Sequence, residues 1–278
     1  MSVLFCLALF VFVEPGRIVG IMLSAHPAGF VFVIAVCFVS LVVSCVKWKS
    51  ILKKSCIDLP VYVLVAYYLV GYYFNNFLPT SIGGDGVRIL LLGKRVSSLS
   101  IVAVSVFVER VTGFLAVDEE YSLGLDYSSW IVLVLGFVVL FFAFVLVKRI
   151  RNVLTGLFDF VKKSSVLDFV FWGFLSVLFQ LLVVLVYYFS GIALSIDISI
   201  QTLLFVVPLV SLATLIPVSL NGLGLREASF AYLLSFSGVE PENAISMSLF
   251  VYFVSIIFSA LGGFIFINLK SRASFEGK

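Results

Sequence analysis

The sequence predicts an all-α integral membrane protein with an inverted-topology repeat, about six full spans and two re-entrant, broken helical hairpins. Three observations lead to this prediction. Hydrophobic residues make up 62% of the 278-residue chain and charged residues only 12%, whereas soluble domains carry roughly 25% charged residues. A motif rich in proline and glycine interrupts the hydrophobic sequence twice. The basic clusters share one side of the membrane only if each interrupted segment enters and leaves the bilayer on the same face.

The chain reads as a single membrane domain over residues 1–278, with a first repeat at 1–117 and a second repeat at 128–270. Apolar runs of about 20 residues predict spanning helices, and shorter runs joined across a break predict the two hairpins. In chain order, the predicted elements are a short span at 2–13, a span at 28–46, a hairpin at 59–95, spans at 99–117, 130–147 and 169–193, a hairpin at 201–236 and a last span ending near 268.

Lysine and arginine decide the predicted orientation. If residues 59–95 crossed the bilayer once, the basic cluster at 148–163 would lie opposite the one at 47–54, against the positive-inside rule. Treating both interrupted segments as re-entrant places every basic cluster and both termini on the cytoplasmic side. Arg17 and Arg226 are then the external cations. We therefore expect a multi-pass protein of the cytoplasmic membrane.

The two interruptions share one motif. From Pro79 the chain reads Pro-x-Ser-aliphatic-x-Gly-x-Gly-aliphatic-Arg, and the same pattern runs without a gap from Pro217 to Arg226. A proline and two glycines in ten residues cannot continue a membrane helix, so each copy should end one helix and begin another. Irregular backbone inside a bilayer must be shielded by protein or line a wet cavity. Matched broken helices in two halves of a chain therefore predict a transporter's binding site.

The chemistry predicted at the breaks is the binding of an anion. Glycines let backbone N–H groups face a ligand, and the helix that follows each break points its positive end to the same place. Together with Arg88 and Arg226 this predicts a phosphate site. The alternative is that proline and glycine only shape each turn while the arginines snorkel to the headgroups. The structural breaks are Pro79 and Pro217, and the candidate binding residues are Asn75, Asn76, Ser81, Gly83, Gly84, Asp85, Arg88, Ser219, Asn221, Gly222, Gly224, Arg226 and Glu227.

Glu109 and Arg110 lie inside the predicted span at 99–117 and complete the candidate site. A charged side chain at the bilayer centre costs at least about 2.5–3.5 kcal/mol, so both need partners or water. Neighbouring residues of a helix point about 100° apart, so we do not expect Glu109 and Arg110 to pair with one another. We expect Glu109 to meet Arg88 or Arg226, and Arg110 to meet Asp85 or Glu227. A purely structural ion network remains the alternative.

The sequence favours neither a metal nor a cofactor. The four cysteines include no Cys-x-x-Cys spacing, and the one histidine has no neighbouring residue of a ligand type. We expect no disulfide. Nucleic acid is not an expected partner.

Three ordered motifs carry a family resemblance. They are Asn-x-x-Leu-Pro-x-x-x-Gly-Gly-Asp-x-x-Arg at 75–88, Glu-Arg-x-x-Gly at 109–113 and Ile-Pro-x-Ser-x-x-Gly-x-Gly-x-Arg-Glu at 216–227. Together they resemble the lysylphosphatidylglycerol synthase transmembrane region, also called the flippase-like family, over nearly the whole chain. The resemblance implies an eight-segment membrane domain that moves lipids, best described where it flips aminoacylated phosphatidylglycerol. In the bifunctional synthases a soluble aminoacyltransferase domain follows, whereas this sequence stops at Lys278, so we expect no synthesis of the aminoacyl lipid.

The predicted function is lipid transport without enzymatic chemistry. A polar cavity would admit the headgroup of a phospholipid or polyprenyl-type lipid while the tails stay in the bilayer, and Arg88 and Arg226 would contact the phosphate alternately as the halves rock. The sequence contains no Gly-x-x-x-x-Gly-Lys-Ser/Thr motif, so movement would be downhill, ion-coupled or driven by a partner. A separate lipid-synthesising enzyme is an expected partner class, and a homodimer is left open.

Three other function classes are alternatives to lipid transport. A secondary carrier for a small anionic solute would use the same repeat, with Asp85 or Glu109 as a proton site. A cavity open sideways to lipid would favour the flippase, and a cavity sealed from lipid would favour the carrier. An intramembrane lipid-phosphate enzyme is disfavoured because the breaks offer no histidine or cysteine and only Asp85, Glu109 and Glu227 as acid or base. A regulatory membrane subunit is the remaining alternative.

Overall fold

A computed structural model describes residues 15–78, 83–114, 158, 160–214 and 220–276, and the regular elements within these ranges are all helices. The predicted all-α class is thereby confirmed. The predicted spans at 2–13 and 130–147 lie outside the described residues. A 3₁₀ turn occupies Leu220–Gly222, and the α-helices in chain order are α1 Pro15–Leu23, α2 Pro27–Lys54, α3 Val61–Asn75, α4 Gly83–Arg95, α5 Leu99–Phe114, α6 Val166–Ala193, α7 Ile200–Ala213, α8 Leu225–Ser235 and α9 Pro241–Glu276.

Three of the described helices, α2, α6 and α9, are long and apolar enough to cross a membrane. The candidate span of each helix has 28 residues. At 1.5 Å per residue such a segment extends about 42 Å, which exceeds the roughly 30 Å of bilayer hydrocarbon. Their outer faces carry exposed apolar side chains such as Phe174 on α6 and Phe264 on α9. These faces suit contact with lipid tails, and the protein is accordingly a multi-pass membrane protein.

The ends of the long helices follow from local chemistry. Pro27 begins α2, and Lys53 and Lys54 lie in its last turn, where cations interact favourably with the helix dipole. Ser165 caps α6: its hydroxyl accepts a bond from the Asp168 backbone, and the Asp168 carboxylate accepts one from the Ser165 backbone. Because of this capping box, α6 begins three residues before the start predicted from hydrophobicity alone.

Each break lies between two short helices. The first connects α3, of 15 residues, to α4, of 13, and the second connects α7, of 14, to α8, of 11. None of these helices exceeds about 23 Å, so none crosses the hydrocarbon alone. The two helices of each pair pack against one another. The re-entrant path and the inverted repeat remain predictions, and Pro79, Ser81, Pro217 and Ser219 lie outside the described residues.

The apolar core joins the two halves of the chain. Buried side chains from α2, α3, α6, α7, α8 and α9 form one cluster, which includes Leu41, Leu64, Val184, Leu203, Phe230 and Val254. The most extensive helix contacts are those of α2 with α6 and of α3 with α9. The core therefore fixes both short-helix pairs against the long helices.

Glycine allows the close approach of α9 to α3. A methyl group at Gly262 would overlap the backbone carbonyl of Leu69, and one at Gly263 would press on the Tyr73 ring at 2.8 Å. Because the opposing atoms at Gly262 belong to backbone, they cannot move aside as a flexible side chain would. The packing of these helices consequently depends on a residue without Cβ.

We expect Gly262→Ala to lower the free energy of unfolding by about 1–3 kcal/mol, since overpacking forces the backbone apart. Gly173→Ala on α6 is the matched control, because a methyl group there meets nothing within 4 Å. Both variants gain the same helix propensity, so their difference reports the overlap. Thermal unfolding in detergent measures it, and equal melting temperatures would contradict the packing described here.

Candidate functional site

A hydrogen bond between Asn75 and Gly84 joins the two helices of the first break. The Asn75 side-chain oxygen, at the end of α3, accepts a hydrogen bond of 2.5 Å from the Gly84 backbone N–H at the start of α4. A methyl group at Gly84 would overlap the Gly71 carbonyl of α3, so only glycine allows this approach. The first turn of α4 is thereby held against α3, and it directs Asp85 and Arg88 into the protein, where they are 6% and 2% exposed.

Asp85 is the centre of a buried charge cluster. One oxygen of its carboxylate accepts from Arg88 Nη2 at 2.5 Å, and the other accepts from Arg110 Nε at 2.7 Å. Arg88 Nη2 also lies 3.7 Å from Glu109 Oε2, and the Tyr68 hydroxyl donates to the other oxygen of Glu109. Of the pairings that the sequence left open, the structure contains Arg88 with Glu109 and Arg110 with Asp85.

Arg88 is held between aromatic rings as well as carboxylates. Its guanidinium carbon lies 3.8 Å from the centre of the Tyr68 ring and 4.9 Å from that of Trp48. The Trp48 indole is itself fixed by donating to Ser105 Oγ at 2.9 Å. Arginine suits this position because its weakly hydrated plane can stack on rings while its edge pairs with acids.

Lys47 is a member of the cluster that the sequence reasoning missed. In the sequence reasoning it was counted with the basic run at 47–54 on the cytoplasmic side and given no place in the site, but Lys47 is 5% exposed and its ammonium faces inward. The run divides because α2 continues past the predicted end at 46 and turns each lysine differently. Lys49 and Lys53 approach Asp58, and Lys54 approaches Asp168. The signal was the helical spacing of Ser40, Ser44 and Lys47, which forms one polar face.

The partners of Lys47 are neutral. Its Nζ donates to the Glu109 backbone carbonyl and to Ser176 Oγ, both at 2.7 Å. Within the described ranges, no carboxylate lies within the 4 Å of an ion pair with Lys47. The bonds connect α2 to α5 and α6, and the charge of the ammonium remains uncompensated by a direct contact.

A cavity of about 360 Å³ opens beside this cluster, lined by residues of α2 to α7. Among the described residues of its wall, Lys47, Arg88 and Arg110 supply cations and Asp85 and Glu109 supply carboxylates, which leaves one formal positive charge. Arg110 is the most open of them, with 42% of its side chain exposed. The apolar part of the wall includes Phe179, Val183 and Leu212. Gln180 of α6 also faces the cavity and was absent from the predicted site.

At the second break, the backbone turn is stabilised by residues of the break itself. Asn221, Gly222 and Gly224 adopt positive φ angles of 50°, 75° and 85°, which glycine tolerates best. Glu227 is 2% exposed, and its carboxylate accepts from the Gly224 backbone at 2.6 Å and from Arg226 at 3.2 Å. The Glu227 carboxylate therefore occupies the N-terminus of α8.

Arg226 is held by α9 as well as by Glu227. It donates to Ser248 Oγ at 3.2 Å, and its guanidinium lies 5.1 Å from the centre of the Tyr252 ring. The cavity wall, as far as the described residues define it, includes Asn75, Gly84, Asp85 and Arg88 of the first break, but not residues 221–227 of the second.

Two asparagines connect the breaks. Asn221 Nδ2 donates to Asn76 Oδ1 at 3.1 Å, and Asn76 Nδ2 donates to Ser259 Oγ of α9 at 2.6 Å. These side chains were predicted as ligand contacts, and here they bind one another. The two motifs are therefore neighbours in space although 145 residues separate the paired asparagines.

Of the comparisons with protein families, curated proteins and solved structures, the one with protein families gives a match. The family model described as Lysylphosphatidylglycerol synthase TM region matches residues 1–263. The matched range contains both breaks and the whole charge cluster. Neither the curated proteins nor the solved structures give a match.

We expect Asp85→Asn to lower the free energy of unfolding by about 3–5 kcal/mol, because removing one partner leaves buried arginine charge uncompensated. Asp58→Asn is the matched control: Asp58 also approaches two cations, Lys49 and Lys53, but its side chain is 63% exposed. Exposed pairs contribute about 0–1 kcal/mol. Chemical unfolding in detergent distinguishes the two, and a similar small loss for both would mean that Asp85 does not hold the cluster.

Proposed function

Because the chain belongs to the lysylphosphatidylglycerol synthase transmembrane family, we propose that it translocates a phosphate-bearing lipid across the bilayer. The substrate would be a phospholipid or a polyprenyl-type polar lipid. The observation that carries the proposal is the cavity between the first break and α7, where five charged side chains line a wall otherwise made of membrane helices.

The energetics of the cluster support a role in binding. Charged groups within membrane-spanning protein are costly and commonly mark substrate or ion pathways. The cluster here retains a net formal positive charge, and Arg110 is open enough to meet a ligand. A phosphate supplies the acceptor oxygens and the negative charge that such a group binds well.

The dimensions of the cavity suit a headgroup. Small-molecule sites typically occupy about 300–1,000 Å³, and the cavity of about 360 Å³ falls near the lower limit. It has room for a phosphate and a few attached atoms, whereas two acyl chains would have to stay outside. This division corresponds to a headgroup moving through protein while the tails follow in lipid. The chemistry is transport, with no bond made or broken.

Movement of the headgroup would require a rearrangement of the two breaks. Arg226 is paired with Glu227 in this conformation, and its proposed contact with phosphate belongs to another one. The Asn76–Asn221 hydrogen bond joins the breaks and is weak enough to exchange. A rocking motion that separates these asparagines would close the first site and free the second. A carrier of small anions could use the same cavity. Measuring lipid scrambling and anion uptake in liposomes distinguishes a flippase from such a carrier.

We expect purified protein in liposomes to scramble headgroup-labelled phospholipid, and Arg110→Gln to slow the scrambling at least about tenfold by removing a charge-assisted contact. Arg17→Gln is the control, because Arg17 pairs with Glu240 at 2.9 Å and both side chains are more than half exposed. Dithionite quenching of labelled lipid measures the rate. No scrambling of any lipid, with uptake of a soluble anion, would replace the flippase with the carrier.

A second variant tests the second break. Arg226→Gln should slow scrambling as strongly as Arg110→Gln if phosphate passes between the two sites. Because Arg226 also holds Glu227, the melting temperature must be measured beside the rate, and Ser248→Ala provides a variant that loosens Arg226 without removing its charge. Scrambling at the wild-type rate by stable Arg226→Gln protein would confine phosphate binding to the first break.

A further inference from the structure

Two buried donor groups of the cavity lack a hydrogen-bond partner in the part of the chain that the structure describes. They are Arg88 Nη1 and Gln180 Nε2. Arg88 is 2% exposed, and both residues line the cavity. Buried polar groups are nearly always paired, so an unpaired buried donor beside a cavity is suited to an acceptor atom of a ligand. The family motifs include Arg88 but give no role to Gln180.

Lys47 adds a cation beside these donors. Its ammonium binds Ser176 Oγ at 2.7 Å, and Gln180 follows Ser176 by four residues on α6, so the two side chains share one face of the helix. Lys47 and Gln180 thus both line the cavity where α2 meets α6. The charge of Lys47 is balanced by no carboxylate within 4 Å among the described residues.

The carboxylates of the cluster already face cations or a hydroxyl. One Asp85 oxygen binds Arg88 and the other binds Arg110, while Glu109 accepts from Tyr68 and faces Arg88. Among the described residues, the donors without a partner are Arg88 Nη1 and Gln180 Nε2, and the charged side chains of the wall sum to one formal positive charge. These groups fit the oxygens of a phosphate better than they fit an ammonium group.

We infer that the cavity selects headgroups with a net negative charge, that is, phosphate lipids without an ammonium group, and that Lys47 and Gln180 determine this selectivity. The inference rests on the proposed lipid transport and names its substrate class. A cationic or zwitterionic headgroup would bring its ammonium close to Lys47 and Arg110, and like charges repel more strongly in a partly buried cavity than in bulk water. An anionic headgroup would meet the cations Lys47 and Arg110 and the unbonded donors of Arg88 and Gln180.

The first measurement compares three lipids that differ in headgroup charge. Phosphatidylglycerol is anionic, phosphatidylethanolamine is zwitterionic and lysylphosphatidylglycerol is cationic, and each is used with the same acyl chains and label. We expect wild-type protein in liposomes to scramble phosphatidylglycerol at least about tenfold faster than lysylphosphatidylglycerol, the size of effect that one charged hydrogen bond produces. Phosphatidylethanolamine should fall between them.

The variants assign the selectivity to named side chains. Lys47→Met should reduce the preference for phosphatidylglycerol about tenfold, and Lys47→Arg should retain it. Lys49→Met is the matched control on the same helix, since Lys49 pairs with Asp58 at 3.6 Å and does not line the cavity. Gln180→Leu, which keeps the side-chain volume, should lower the rate for phosphatidylglycerol by several-fold while leaving the melting temperature unchanged.

The outcomes separate this inference from the proposed function. Equal scrambling of all three lipids by wild-type protein, or an unchanged preference in Lys47→Met, would overturn the inference and leave lipid transport standing. If no lipid is scrambled, lipid transport fails, and the inference is decided by binding. The melting temperature in detergent is then titrated with dihexanoyl phosphatidylglycerol, dihexanoyl phosphatidylethanolamine and inorganic phosphate. A rise with the anionic lipid alone supports the inference, a rise with inorganic phosphate assigns the site to a soluble anion instead, and no rise overturns it.

Discussion

The carboxylate of Asp85 is the contact on which the site depends. It bridges two guanidinium groups, one from its own helix α4 and one from α5, and it is 6% exposed. Burial of Arg88 between Trp48 and Tyr68 is tolerable only because this acid and Glu109 lie beside it. The position of Asp85 depends in turn on the bond from Gly84 to Asn75, which holds α4 against α3. The first turn of α4 thereby fixes the positions of Asp85 and Arg88 in the cavity wall.

The two breaks share a motif but satisfy their helix ends differently. At the first break a neutral amide, Asn75, accepts the helical N–H, so the Asp85 carboxylate is available to bind arginine from another helix. At the second break the carboxylate of Glu227 accepts the N–H and also binds the adjacent Arg226. Asp85 and Arg88 of the first break therefore line the cavity, whereas Arg226 and Glu227 of the second break pair with one another.

Some contacts of the site could be predicted from the sequence and others could not. The pairing of Glu109 and Arg110 with residues of a break was expected, because two charges inside an apolar span need partners or water. The choice of the first break was open, since it depends on the packing of α4 against α5. Lys47 was misjudged because the sequence places it in a basic run, and only the rotation of α2 separates it from Lys49, Lys53 and Lys54.

The sequence by itself determined the membrane class, the long helices and the two breaks, because hydrophobicity, helix length and the backbone limits of proline and glycine act locally. It also singled out most of the charged residues, since charge in an apolar helix demands an explanation. Only the tertiary structure decided that Asp85 joins Arg88 to Arg110, that Lys47 faces inward and that Asn76 meets Asn221. These contacts link helices far apart in the chain, and their geometry follows from how the helices pack rather than from any local pattern.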